Sequence, residues 1–271
     1  MGRATTGTRR RDRGPTSTSR GRVKYDAIAD AYNRRYELHD YPGIRSAILE
    51  IVAMTDSPRV LEVGCGTGRW LHLLALAGCQ IAGIDPSREM LLRVPFEARG
   101  DVRCGVAEAL PWPKDCFDVV LYINALQHFT DPETALRETS RVLRPGGRFL
   151  SIGLDPHERR DRWFVYDFFP ETLALDLERF PSRSRRAAWI EAAGLTNVIV
   201  RPVEFFRSSK SFKEAVRAGA LEQSFTSQLT ALSSAEYSAG MMRIRETAQR
   251  QNGFRLISDL VLYATEATKP A

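Results

Sequence analysis

The sequence predicts an α/β fold, a parallel sheet covered by helices on both faces, and three observations carry that expectation. Strand-like and helix-like segments alternate from residue 23 to residue 155; the strands read as short unbroken apolar runs; and a glycine-rich stretch, Gly64-Cys65-Gly66-Thr67-Gly68, joins one such run to a helical one. Apolar strands need cover on both sides, which repeated β-α-β units provide. A strand-to-helix turn stripped of side chains lets backbone N–H groups approach a ligand at a helix N-terminus.

In chain order, Tyr25, Ile28 and Tyr32 recur at i, i+3 and i+7 in "KYDAIADAYNRRY" and predict a helix. A second helix fits "YPGIRSAILEIVAM", with Ile44, Ile48 and Ile51 apolar, before a strand over residues 59–63. After the glycines, Leu71, Leu74 and Ala75 mark a helix closed by Gly78, and "QIAGID" is a strand that ends on Asp85. Three more strands are expected in "DVRCGVAEAL", "FDVVLYIN" and "GRFLSIGL". Between the last two, Asp131, Pro132 and Glu133 supply a cap, a first-turn proline and a first-turn acid. Arg137, Arg141 and Arg144 follow on that helix, which Pro145-Gly146-Gly147 stops.

Beyond residue 155 the pattern loosens into the aromatic-rich "RDRWFVYDFF", a helix "RSRRAAWIEAAGL" ended by Gly194, and a strand "NVIVRPVEFF". Residues 211–252 read as helical, with Leu221, Phe225, Leu229 and Leu232 on one face and Ser233 and Glu236 as a capping box; "FRLISDLVLYAT" is the last strand.

The 271 residues, 43% hydrophobic, suit one sizeable globular domain or one domain with an elaborate lid. Cys65, Cys79, Cys104 and Cys116 form no CxxC pair and the four histidines form no ligand-spaced cluster with them, so the pattern reads as reduced thiols in a cytoplasmic protein without a metal site. No apolar run approaches the ~20 residues of a membrane span. The +6 net charge lies in residues 1–22, where seven Arg and one Asp sum to +6. With hardly an apolar residue, that tail reads as a solvated, disordered segment, and nucleic-acid binding is its rival use.

Dinucleotide folds space their glycines G-x-G-x-x-G for a pyrophosphate. Here Arg69 stands at that third place and the spacing is G-x-G-x-G, with Glu62 two residues ahead, which disfavours a dehydrogenase. In order, "VLEVGCGTG", "GID", "AEALPW", "FDVVL" and "VLRPGGRFL" resemble the successive motifs of the class I S-adenosylmethionine-dependent methyltransferases, small-molecule (methyltransferase type 11-like) branch. The resemblance covers about residues 25–155. It implies a Rossmann-like, seven-stranded, mostly parallel sheet with the last strand antiparallel and a helical lid insertion. The methyltransferase domain would span 23–271, with 156–190 and 207–253 as substrate-cap segments.

The resemblance implies a cofactor, S-adenosyl-L-methionine, and a site for it. Backbone atoms of Gly64, Cys65 and Gly66 would pass under its methionine part, with Glu62 and Gly68 shaping the turn. Asp85, with Pro86 beside it, would take the ribose hydroxyls; its local alternative is a helix N-cap. Ala107 and Glu108 would face the adenine, although Val106 replaces an Asp that many relatives carry. Tyr25 and Tyr32 would close the site, and ordinary helix packing predicts the same spacing. Arg34 or Arg35 would pair the cofactor carboxylate or lie in solvent. Asn124 would lie beside the transferred methyl, with His128 four residues on as candidate catalytic base, since an unperturbed imidazole titrates near roughly pH 6.5; packing is the alternative.

The acceptor is expected to be a small, apolar or aromatic metabolite under a lid built from residues 163–169 and 211–252, including Met241 and Met242. Arg159, Arg160 and Arg162 would suit a carboxylated acceptor or a solvated loop. Rival functions are an RNA (tRNA) methyltransferase using the basic tail and a non-catalytic cofactor-binding protein.

Overall fold

The computed structural model describes residues 25–29, 32, 33, 36 and 39–271, the side chain of Ala27 excepted. The basic segment 1–22, and Arg34 and Arg35, lie outside the described residues. The sheet contains β1 (Arg59–Val63), β2 (Gln80–Asp85), β3 (Asp101–Cys104), β4 (Phe117–Ile123), β5 (Leu143–Leu154), β6 (Arg162–Trp163), β7 (Thr196–Lys210) and β8 (Leu256–Thr268). Its order is β3-β2-β1-β4-β5-β8, with β7 on the far edge of β8 and the two-residue β6 extending the β5 edge. Strands β1 to β5 pair in parallel and β8 runs antiparallel to its neighbours. This is the Rossmann-like arrangement of seven main strands, with one short addition.

The helices are α1 (Pro42–Val52), α2 (Arg69–Leu76), α3 (Arg88–Leu91), α4 (Pro132–Val142), α5 (Phe164–Phe168), α6 (Pro170–Arg179), α7 (Arg183–Ala192), α8 (Phe212–Arg217), α9 (Ser227–Thr230) and α10 (Ser234–Arg250). Alternation along β4 sorts them into two layers. Val119, Leu121 and Ile123 pack with Ile44, Ile48 and Ile51 of α1, whereas Val120 and Tyr122 pack with Leu136 of α4 and Ile190 of α7. Phe164, Leu221, Leu229 and Ile244 from α5, α8–α10 and their links join the α1 layer. Helices α5 and α8–α10 therefore build on one face of the sheet, and α7 packs on the other.

Three expectations change. Over residues 24–36 the described residues show a 3-10 turn at Tyr25–Ile28, whose side chains pack toward Met90 rather than along a long helix. Helix α4 ends at Val142 and Arg144 belongs to β5, because Pro145 disfavours a helical conformation at the residue before it. The 211–252 region is three helices, broken at Gly219 and again before Ser233. The Ser233–Glu236 capping box is complete, and Ser211 with Glu214 forms a second.

Candidate active site

Strand order reverses between β2 and β4 on either side of β1, and the glycine turn fills the crevice at that switch point. Gly64, Gly66 and Gly68 have φ of 76°, 53° and 78°, a region that costs other residues about 1–2 kcal/mol. The outer two are also hemmed in: a Cβ on Gly64 would stand 2.6 Å from Ala125 Cβ, and one on Gly68 2.8 Å from Val94 Cγ1. Over Gly66 nothing among the described residues comes nearer than Tyr32 Cε1 at 3.9 Å. The turn thus leaves open space above its middle glycine, under the Tyr32 ring. Gly64 N and Cys65 N both donate to Ile84 O, at 2.8 and 3.2 Å, which ties the turn to β2. Cys65 buries its thiol with Leu71 and Val94, so it presents backbone to the crevice.

Two carboxyls stand at the strand ends. Glu62 is 1% exposed; the Leu71 N–H reaches it, while Oε2 has no hydrogen-bond partner among the described residues. Burial, and after it the charge of Asp85, pushes the Glu62 carboxyl well up. A buried acceptor left without a donor costs about 1–3 kcal/mol, which a bound cation or N–H group would recover. Asp85 accepts from Gly66 N through Oδ2 and from Ser87 N through Oδ1, both at 2.9 Å. Burial raises its carboxyl and these two N–H groups oppose the rise. The cap of α3 is Ser87, whose Oγ accepts from Met90 N, so Asp85 turns to the glycine turn and is not the helix cap. Pro86 is exposed beside it.

After β3, Ala107 is buried and Val106 is 45% exposed. Glu108 Oε1 accepts from Thr130 N at 2.7 Å and Asp131 N at 3.0 Å, clamping this loop to the start of α4. That structural work competes with any use of the same oxygen on a ligand.

The N-terminal segment is pinned across the turn. Ser87 Oγ donates to Asp26 (2.5 Å), Thr67 Oγ1 to Asn33 (2.7 Å) and Arg69 to Asp40 (3.0 Å). Arg69 also lays its guanidinium over Tyr36 at 4.4 Å. Tyr25 Oη lies 2.7 Å from His128 Nε2 and the Gln127 amide nitrogen 3.2 Å from it. A hydroxyl and an amide N–H aimed at one nitrogen favour the tautomer in which Nε2 accepts. Asn124 follows β4 with φ of 52°, a conformation asparagine tolerates better than most residues.

Tyr25, Tyr32, Asn124 and His128 all line one cavity, whose apolar lining includes Trp163, Phe164, Phe180, Phe206, Phe225 and Leu260. Met241 and Met242 are not among its lining residues, and Met242 is 58% exposed. Nor does the arginine trio line it; Arg160 lies over the half-exposed Phe205 ring at 5.8 Å.

Sequence reasoning missed two lining groups. His39 Nε2 lies 3.2 Å from Oε1 of the buried Glu204, whose Oε2 accepts from Gly43 N at 2.8 Å and Ile44 N at 3.3 Å. Glu204 therefore caps α1 from another element and holds the cavity-lining His39 at once. Gly43 permits this approach, since a Cβ there would fall 1.7 Å from Val203 O. The other missed group, Ser208, Ser258 and Lys210, lies on the paired strands β7 and β8. The one available signal was Ser258 between Leu256 and Leu260 on an otherwise apolar face of the last strand.

The strand order, the glycine turn in left-handed conformation and the acid at the end of β2 define a class I S-adenosylmethionine-dependent methyltransferase. Residues 61–151 match the family described as a methyltransferase domain (type 11), and the chain is an S-adenosylmethionine-dependent methyltransferase carrying that domain. It is 28% identical over 203 residues to the ubiquinone/menaquinone biosynthesis C-methyltransferase of Rubrivivax gelatinosus, covering 64% of this chain and 78% of that one. It is 29% identical over 192 residues to the ubiquinone biosynthesis O-methyltransferase of Pseudomonas syringae pv. tomato, covering 64% and 81%. The YcgJ protein of Bacillus subtilis shares the fold, with a TM-score of 0.60 at 20% identity over 84% of this chain and 98% of that one. Among the described residues no helix is long and apolar enough to cross a membrane.

Proposed function

We propose that this methyltransferase acts on a small, apolar or aromatic metabolite by in-line displacement. The observation that carries this reading is the shared cavity: Asn124 and His128, just beyond β4, and Tyr25 and Tyr32 of the N-terminal segment line the same space as Trp163, Phe164 and Phe206. Two relatives named for quinone biosynthesis support an apolar, ring-bearing acceptor.

S-adenosylmethionine supplies a methyl already activated on a sulfonium, so the protein's work is to position the acceptor and exclude water. The residues fit that cofactor. The backbone of Gly64, Cys65 and Gly66, open above Gly66 and completed by Gly68, would take the methionine part, and the unpartnered Glu62 Oε2 its ammonium group. Asp85, beside Pro86, would take the ribose hydroxyls on the carboxylate that now accepts from Gly66 N. Ala107, Glu108 and the exposed Val106 form the adenine side. Tyr25 and Tyr32 would close the site, with Asn124 at its β4 end. Where the acceptor must ionise, His128 Nε2 takes its proton, directly or through the Tyr25 hydroxyl.

The test is an acceptor screen read by S-adenosylhomocysteine release, with hydroxylated and quinonoid aromatics beside bulk tRNA. Turnover with a small aromatic supports the proposal. Turnover with tRNA alone, or none with either class, overturns it.

A further inference from the structure

We propose that the acceptor carries an anionic group, a carboxylate or one of like charge, which Lys210, Ser208 and Ser258 hold at the cap end of the cavity. The proposal rests on the cavity being the acceptor site.

Strand periodicity supplies the first part of the argument. Side chains two apart share a face, so Glu204, Phe206, Ser208 and Lys210 of β7 point one way. The residues between them point the other way, where Phe205 is 47% exposed and Arg207 pairs with Asp259 at 3.3 Å. The β7–β8 register sets Ser208 opposite Ser258 and Lys210 opposite Leu256, and all four line the cavity. Their neighbours on this face, Phe206, Leu260 and Leu262, are apolar and line it too. Two hydroxyls and an ammonium on such a face are costly to desolvate unless a partner meets them.

Charge supplies the second part. Among the described residues lining the cavity, Lys210 is the sole lysine or arginine, and no aspartate or glutamate lines it. Lys210 Nζ donates to Ser208 Oγ at 3.0 Å, which leaves that hydroxyl's own proton to be donated elsewhere. Ser258 is 4% exposed, so its hydroxyl has the cavity as its outlook. The acid that feels Lys210, Glu214, is engaged in the α8 capping box and meets Arg255 at 3.4 Å on the exposed side. Two cations thus share one carboxylate there, and the cavity end keeps a positive bias. An ammonium flanked by two hydroxyl donors is a site for a charged acceptor oxygen. The exposed trio Arg159, Arg160 and Arg162, which the sequence offers for that purpose, lies outside the cavity.

The protein saturated with S-adenosylhomocysteine is titrated with matched pairs, 4-hydroxybenzoate against 4-hydroxybenzamide and 2-naphthoate against 2-naphthamide. The readout is the fluorescence of Trp70 and Trp163, which line the cavity. The expected result is carboxylates bound about tenfold more tightly than amides, a preference abolished in Lys210→Met, restored in Lys210→Arg, and accompanied by unchanged S-adenosylhomocysteine affinity. Equal binding within each pair, or a preference that survives Lys210→Met, overturns the proposal while sparing the cavity as acceptor site. Binding of neither member of either pair overturns both.

Discussion

Replacing Glu62 by Gln keeps the shape of a fully buried side chain and the oxygen that accepts from Leu71 N, but removes its ability to ionise. In the free protein the carboxyl is pushed well up by burial and by Asp85. A carboxyl raised on folding contributes stability below its unfolded pKa and loses it as pH rises through the folded one. Free Glu62→Gln should therefore melt above wild type at pH 8, with the gap closing toward pH 4. Cofactor binding reverses the order, because the orphaned Oε2 gains the cofactor's ammonium group. A hydrogen bond to a charged group contributes about 1.5–3 kcal/mol, so calorimetry should show S-adenosylhomocysteine bound about 10- to 150-fold more weakly by the variant. Wild-type affinity should rise with pH as the carboxyl gives up its proton, and the variant's should not follow it. Unchanged affinity in Glu62→Gln, or a pH dependence shared by both proteins, would refute the reasoning.

Gly68→Ala meets both a φ of 78° and Val94 at 2.8 Å, so it should cost about 2–3 kcal/mol of stability in chemical denaturation. Gly66→Ala has space around it and a φ of 53°, so it should lose only about 1 kcal/mol but weaken S-adenosylhomocysteine binding by placing a methyl in the cofactor's path. Asp161, pushed up to about 6 chiefly by burial, accepts from Val261 N at 2.9 Å. Linkage gives about 3 kcal/mol at most, which partial exposure screens to about 1 kcal/mol; its raised carboxyl favours the fold below pH 4 and loses that contribution above pH 6. Asp161→Asn should therefore melt a few degrees above wild type at pH 8 and level with it at pH 4. His128→Ala should lower turnover about 10²-fold for an acceptor that must lose a proton, with cofactor affinity intact; undiminished turnover would remove His128 from the chemistry.

The strand ends and the turn were legible because backbone requirements select residue types: glycine where φ is positive and space is short, and an acid where an apolar strand meets a ligand crevice. The cavity was legible only in its apolar wall, where Trp163, Phe164 and Phe225 come from the segments expected to form a lid. His39, Glu204, Lys210 and Ser258 are ordinary in their local sequence and acquire meaning when α1, β7 and β8 bring them together. The arginine trio is exposed, in keeping with the solvated-loop reading of that charge cluster, and Arg160 lies over the half-exposed Phe205. Tyr25, Ile28 and Tyr32 have helical spacing, yet what holds them is tertiary: the His128 imidazole and the Met90 cluster. The clamp that Glu108 forms on the start of α4 is likewise tertiary and leaves no mark in the local sequence.

The most direct measurement is a crystal structure of the protein with S-adenosylhomocysteine. The ribose hydroxyls should bond to Asp85, the amino group should meet Glu62 Oε2, and the sulfur should face Asn124 and the aromatic cavity. A ligand seated away from the glycine turn, or one whose sulfur points away from that cavity, would contradict the assignment of donor and acceptor to one continuous site.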